Sequence, residues 1–277
     1  MIKKGAIGLL FTYIALITAG LITLFPLLWL VRSSLMDLAQ IFEMPPRWLP
    51  SPLRFSNYVE AMTVLPFGSY FKNTSIIVIL SVVGVVVTSS ISAYSFARMK
   101  WQGRDLIFGL LLSSMMLPYA VTLIPTFVGW SMLGLTNSFV PLIAPSWFGG
   151  GAFNIFLLRQ FYMTLPRELD EAAFVDGAGH WKIFTQIILP LTKPALVVIG
   201  LFAFLHSWND FLGPLVYLNS STKYTLALGL QLFKGMYNAE WHLMMAASVV
   251  VLGPAVIIFL LGQKYFVEGI TLTGIKA

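Results

Sequence analysis

Residues 166–190 read PRELDEAAFVDGAGHWKIFTQIILP. Proline is tolerated in the first turn of a helix, and Glu168, Asp170 and Glu171 suit the positive end of a helix dipole, so a short helix is expected from Pro166 onward. Ala172, Ala173, Phe174 and Val175 continue it, the two alanines allowing another surface to come close. Gly177 and Gly179 can take positive φ and end it. A second, amphipathic helix is expected from about His180 to Leu191, until Pro190 and Pro194 break it. Four of the chain's eleven acids fall within residues 168–176. This polar segment lies between long apolar stretches, and that contrast sets the fold.

Outward from it, the 277-residue chain is 58% AVILMFWYC and only 10% charged. A soluble domain carries about a quarter charged residues, so this composition cannot cover a water-facing surface. One helical crossing of a bilayer needs about 20 apolar residues. Stretches of that kind fall at about 6–31, 73–97, 106–128, 140–162, 195–217 and 243–263. The fourth is interrupted by Pro141, Pro145 and the run Gly149, Gly150, Gly151, and is expected to be a broken helix. The first is too long for a signal-peptide apolar core and shows no A-x-A site, so it reads as a retained helix. The expected fold is all-α: a polytopic membrane protein with six transmembrane helices in a single domain over residues 1–277. In the second span Gly84, Thr88 and Ser92 recur every fourth residue, with Ser89, Ala93 and Ala97 on an adjoining row, a pattern for close helix packing.

Six crossings put both termini on one side. That side would hold Lys3, Lys4, Arg98, Lys100, Arg104, Arg159, Arg167, Lys182, Lys193, Lys264 and Lys276, against Arg32, Arg47, Arg54, Lys72, Lys223 and Lys234 on the other. Basic residues concentrate on the cytoplasmic side, so the termini and the loop at 163–193 are placed in the cytoplasm. Residues 32–72, with Pro45, Pro46, Pro50 and Pro52, form the expected external loop, irregular because of its proline density. The absence of Cys excludes disulfides, Cys-type zinc sites, iron–sulfur clusters and cysteine nucleophiles. Three scattered His give metal chemistry little support. The net charge of +6 is distributed as a topology signal, so no nucleic acid is implied.

A helix-turn-helix lying on lipid is the plainest account of the 166–190 segment, but surface-lying helices present Lys and Arg to anionic lipid, whereas this one presents acids. A protruding helix with small residues suits docking in a protein groove. The pattern Glu171, Ala172, Ala173, three residues, Gly177, nine residues, Ile187, one residue, Leu189, Pro190 resembles the EAA loop of membrane subunits of binding-protein-dependent ABC importers. Features around Arg54 to Tyr58, the stretch Phe153 to Phe161, Trp208-Asn209-Asp210-Phe211 and the ending Phe266 to Ala277 look similar to the MalG-like carbohydrate permeases.

The resemblance implies a type I ABC importer fold and a membrane subunit that is not an enzyme. A second, distinct MalG/MalF-type permease would complete the pathway, two cytoplasmic ATPases would bind ATP and Mg and power it, and an extracytoplasmic binding protein would deliver a sugar or oligosaccharide. The chain would sit among lipid in a bacterial-type plasma membrane and carry no cofactor itself. Consistent with this, the sequence has no G-x-x-x-x-G-K-[ST] loop and no Gly-Lys dipeptide. The resemblance gives Glu171 polar contacts at the docking surface, Ala172 and Ala173 close packing, and Gly177 the backbone turn, with Asp176 beside it. Ile187, Leu189 and Pro190 would anchor the second helix.

For the pathway, the fifth span offers Phe202, Phe204, His206, Trp208, Asn209 and Asp210, aromatic faces beside hydrogen-bonding groups as a sugar requires. An intramembrane acid is costly, so Asp210 should face the bundle or an aqueous cavity. It is read first as structural or gating and second as a sugar contact, and His206 as a satisfied core histidine rather than a proton relay. Competing readings are a permease of the same machinery for a non-sugar solute and an ion-coupled secondary transporter. The latter would be expected to show inverted repeats, and no convincing repeat is seen. No basic residue lies deep in an expected span, which favours a neutral solute.

Overall fold

The computed structural model describes the backbone of residues 6–235 and 239–274, with side chains over 8–235 and 239–265. Lys3, Lys4 and Lys276 lie outside those residues, as do the side chains of the closing segment from Phe266. In chain order the helices are α1 (Ala6–Ser34), α2 (Leu38–Ile41), α3 (Ser56–Val64), α4 (Phe67–Arg98), α5 (Arg104–Ser114), α6 (Tyr119–Met132) and α7 (Val140–Ile143), which runs into a 3₁₀ turn at Ala144–Trp147. There follow α8 (Ala152–Thr164), α9 (Glu168–Val175), α10 (His180–Ile183), a π turn at Phe184–Ile188, α11 (Leu189–Leu191), α12 (Lys193–Trp208), α13 (Leu212–Tyr217), α14 (Leu226–Leu232) and α15 (Trp241–Gly274). No strand occurs among the described residues. All-helical structure is what a hydrocarbon environment demands of an unclosed chain, since each backbone group must be satisfied within its own segment.

Four stretches are long and apolar enough to cross a membrane: Gly8–Ser34, Phe67–Arg98, Val140–Thr164 and Trp241–Tyr265. Two bent pairs raise the number to as many as six, α5 with α6 at 99° and His180–Leu191 with α12 at 79°. The apolar run at 106–128 is therefore not one straight helix. Pro118 stands as the extended N-cap of α6 with ψ 137°, and a proline both lacks the N–H a helix needs and drives its predecessor away from helical geometry. The run at 195–217 likewise stops at Trp208 and resumes as α13. The 32–72 segment is more regular than its composition suggests. Four of its five prolines fall between 45 and 52, where helix is barred and on either side of which α2 and α3 form, and the fifth, Pro66, stands between α3 and α4.

The chain divides into two compact units, one comprising the residues up to Phe67 with Gly229–Gly253, the other Gly68–Leu228 with the chain from Pro254 onward. In the first, Asn57 Nδ2 donates to the carbonyls of Ser34 at 2.9 Å and Met36 at 2.7 Å, tying α3 to the end of α1. None of the residues in the most apolar window of α1 is buried. The second unit holds the main core, in which Leu158, Tyr162, Ile183, Ile188 and Ile199 are fully buried beside Tyr94, Phe96 and Phe184.

Inside that unit the row of small residues on α4 receives the broken segment between α7 and α8. Thr88 Oγ1 donates to the Ser146 carbonyl at 3.1 Å, and the Trp147 ring lies where a Cβ on Gly84 would stand, 2.8 Å away. Gly150 comes closest. Its φ is +70°, and a Cβ there would lie 2.7 Å from the Val85 carbonyl oxygen and 2.9 Å from Ser89 Cβ. Both the left-handed backbone and the backbone-to-backbone approach exclude a side chain. Gly150→Ala is predicted to destabilise this unit by on the order of 1–3 kcal/mol, read as a lower midpoint of thermal unfolding in detergent. Gly20→Ala, in an open helical position with nothing within 4 Å, should not lower it.

Candidate functional site

The loop after α8 is built on one cation. Arg98, the last residue of α4, has a side chain only 2% exposed. Its Nη2 donates to the carbonyls of Tyr162 and Leu165, both at 2.8 Å, and its Nη1 donates to the Pro166 carbonyl at 3.4 Å and to Asp170 Oδ2 at 3.1 Å. The Tyr162 carbonyl, which also accepts the Leu165 N–H at 3.3 Å, and the carbonyls of Leu165 and Pro166 just past α8 thereby gain a charge-assisted partner. The same guanidinium holds the first turn of α9 through Asp170. Arg98 Nε and Asp170 Oδ1 remain without partners among the described residues, so the pair fixes position more than it adds stability.

From that anchor α9 stands with one face down and one face out. Ala173 enters the core, while Glu171, Ala172, Asp176 and Gly177 are exposed. Phe174 is 45% and Val175 88% exposed, an apolar tip surrounded by acids. The helix closes in a Schellman turn: Ala178 N–H bonds the Ala173 carbonyl at 2.9 Å and Gly177 N–H the Phe174 carbonyl at 3.0 Å, with Gly177 at φ +77° as such a turn requires. Gly179 does not take positive φ; it is extended at φ −82° and precedes α10. Beyond the turn His180 meets Phe174 edge-on at 5.0 Å, and its Nδ1 lies 3.4 Å from the Tyr94 hydroxyl on α4.

The second helix of the loop packs on the core through Ile183, Phe184 and Ile188 as well as through two of the residues the motif spacing singles out. Ile187 and Leu189 pack partly buried against the core and Pro190 is exposed, while Ile183, Phe184 and Ile188 go deepest. The π turn explains this, because one extra residue in a turn rotates the faces on either side of it. That turn left no mark in the hydrophobic spacing. Arg98 was visible in the sequence as a topology charge, and its buried role needed the three-dimensional proximity of Asp170.

The expected pathway residues do not converge. Trp208, 5% exposed, stacks on Phe204 at 5.4 Å and meets Phe71 edge-on at 6.0 Å. It lines an apolar cavity of about 590 Å³ with Val78, Val82, Gly200, Leu201 and Ile258. Asn209 is exposed and its Nδ2 donates back to the Leu205 carbonyl at 2.8 Å. Asp210 Oδ1 accepts from Gly213 N–H at 3.0 Å, opening α13, and the residue lines a separate, polar cavity of about 280 Å³. His206 corrects its sequence reading: it is exposed and faces that cavity rather than lying satisfied in the core. No group of three or more His, Cys, Asp or Glu that could hold a metal occurs among the described residues.

Residues 85–271 match the family described as binding-protein-dependent transport system inner membrane component, and the chain belongs to that family. It is thus the membrane component of a transport system and not an enzyme. The diacetylchitobiose uptake system permease protein NgcG of Streptomyces coelicolor is 32% identical over 90% of this chain and 83% of its own length. The sn-glycerol-3-phosphate transport system permease protein UgpE of Yersinia pestis is 33% identical over 94% of this chain and 95% of its own. The crystal structure of a bacterial ABC transporter involved in the import of the acidic polysaccharide alginate contains a chain that superposes with a TM-score of 0.83, at 23% identity, over 96% of this chain and 100% of that one; that likeness bears on the fold.

Removing one partner of a buried ion pair leaves the other charge uncompensated, at a cost of about 3–5 kcal/mol. Arg98→Ala is therefore predicted to release the start of α9, read as faster limited proteolysis between Thr164 and Gly177 with the rest of the chain still protected. Lys100→Ala, two residues further along, should leave the proteolysis pattern unchanged.

Proposed function

We propose that this chain is the six-span permease subunit of an ATP-driven importer for a sugar or oligosaccharide. Both termini and the loop 163–193 face the cytoplasm, and the single transmembrane domain occupies residues 1–277. A distinct MalF-type permease completes the pathway, and an extracytoplasmic binding protein delivers the solute. Two ATPase subunits bind ATP and Mg. The saccharide assignment is supported by the diacetylchitobiose system of the Streptomyces relative and by a polar cavity whose lining contains a carboxylate and no Lys or Arg. The glycerol phosphate relative keeps a small anionic solute as the second reading, against which that lining argues.

The observation that carries the proposal is α9 itself, held from below by Arg98 and presenting Glu171, Ala172, Phe174 and Val175 outward. A rigid helix anchored at one end and free along its outer face transmits rigid-body movement from a cleft that grips it. In this reading Glu171 makes polar contacts with the ATPase, Ala172 lets the cleft approach, Ala173 seats the helix on the core, and Asp176 and Gly177 shape the exposed turn. Ile187, Leu189 and Pro190 belong to the arm that joins the dock to the fifth span.

Position 177 separates turn geometry from docking. No atom lies within 4 Å of a Cβ built there, so alanine meets only the backbone cost of a left-handed residue, about 1–2 kcal/mol. Gly177→Ala is predicted to retain coupled transport at a reduced rate. Gly177→Asp adds a charge to the docking surface and is predicted to abolish solute uptake and binding-protein stimulation of ATP hydrolysis, measured in proteoliposomes containing the whole complex. Normal uptake and normal stimulation in Gly177→Asp would remove this loop from the coupling role.

A further inference from the structure

The polar cavity beside Asp210 has features that packing alone does not require. Its frame is fixed by hydrogen bonds between α4 and the chain beyond α13. Asn73 Nδ2 donates to the carbonyls of Thr222 and Tyr224 at 2.9 and 3.0 Å, and Thr74 Oγ1 accepts from Leu226 N–H at 2.9 Å. A second set closes the same end, where Asn137 Nδ2 donates to Ser220 Oγ at 2.8 Å and its Oδ1 accepts from Ser220 N–H at 3.1 Å. Within that rigid frame the lining includes Tyr119, Ser146, His206, Ser207, Asp210 and Tyr217. Thr74 and Arg98 are 24 residues apart on one helix, about 36 Å at 1.5 Å per residue, so the cavity sits at the end of the bundle remote from the coupling loop.

Donors and acceptors gathered in an apolar bundle normally find partners within it. Here the side-chain polar groups of Tyr119, Ser146, His206, Ser207 and Tyr217 make no hydrogen bond with other described residues, Tyr119 (55% exposed) and His206 standing open rather than enclosed, and Asp210 commits only Oδ1. At about 30 Å³ per water, a cavity of about 280 Å³ holds roughly nine waters. Its chemistry narrows what replaces them. One carboxylate without a second acid does not make a divalent cation site. The absence of Lys and Arg from the lining disfavours a phosphate or carboxylate ligand. Hydroxyls, an imidazole and a carboxylate beside two phenol rings match a ligand with many hydroxyls and an apolar ring face.

We propose that this cavity binds one ring of a neutral saccharide, so that this chain itself touches the solute at the end of the bundle where it enters. The inference rests on the saccharide-importer reading and adds the location and the charge class of the ligand. Asp210 Oδ2 and the imidazole accept or donate to ring hydroxyls, Tyr119 and Tyr217 offer a face and a hydroxyl each, and Ser207 completes the rim. Longer oligosaccharides would leave their remaining rings outside.

The complete complex, with its ATPases and binding protein, is reconstituted in proteoliposomes and uptake of radiolabelled maltose, cellobiose and diacetylchitobiose is measured. Tyr119→Phe and Ser207→Ala each remove one hydroxyl and little volume. Each is expected to lower uptake of the transported disaccharide about 2- to 10-fold at subsaturating concentration, and to alter preference among the disaccharides, with complex yield at wild-type level. Unchanged uptake and preference in both variants and in the double variant overturns the site. Should the variants lose folded complex, the wild-type complex is photolabelled with a diazirine disaccharide. Label at Tyr119 or within residues 205–217 supports the site, and label confined to the partner permease overturns it. If the wild-type complex transports or binds no saccharide of any kind, the importer reading for sugars falls and this inference falls with it; silent variants in a complex that does transport them sink the inference alone.

Discussion

Where α8 ends against an apolar core, the guanidinium of Arg98 binds the carbonyls of Tyr162 and Leu165 while also reaching Asp170. A lysine could not do this, because its ammonium lacks the planar fork that spans two carbonyls and a carboxylate at once. The arrangement joins the end of one long helix, the end of a second and the start of a third at a single point. The course of the loop follows from it. With Asp170 held, α9 can only project its opposite face outward, and the Schellman turn at Gly177 then brings Phe174 back over His180. The incomplete satisfaction of the pair fits a contact that specifies geometry, since a buried ion pair seldom repays its desolvation.

The sequence spoke clearly wherever one physical effect dominated. Bulk hydrophobicity located the apolar runs, the clustered acids and glycines located α9 and its turn, and the four-residue recurrence of Gly84 and Thr88 located the surface that α4 offers to another backbone. It was least informative where two effects compete within a few residues. Pro118 turns a continuous apolar run into two helices at 99°, and hydropathy does not register direction. Around the π turn at Phe184–Ile188 the deepest residues are Ile183, Phe184 and Ile188, with Ile187 and Leu189 of the motif packed partly buried beside them. His206, read as a core histidine rather than a proton relay, is exposed and lines a cavity two residues before the helix breaks after Trp208.

That break also divides Trp208, Asn209 and Asp210, which are adjacent in sequence but differ in surroundings. Successive helical residues point about 100° apart, and leaving the helix at Asn209 widens the divergence. Trp208 turns to an apolar recess with Phe204 and Phe71, Asn209 closes its own helix end, and Asp210 starts the next one. Two chemically opposite recesses thus flank one short stretch of chain. The apolar one needs no polar ligand to be complete, whereas the polar one leaves several groups unmatched.

Among the described residues, the ring contacts and side-chain hydrogen bonds that tie α1 to other parts of its unit lie towards its end, where Phe25 and Trp29 meet Trp48 and Ser34 meets Tyr58. Its most apolar window buries nothing. Cooperativity arises from contacts that are gained and lost together, and a segment without them stands outside the unit that melts. The free energy that holds α1 in place is accordingly a solvation quantity set by the surrounding amphiphile. Two detergents of different chain length can give this chain the same unfolding midpoint and yet hold its first helix with very different grip.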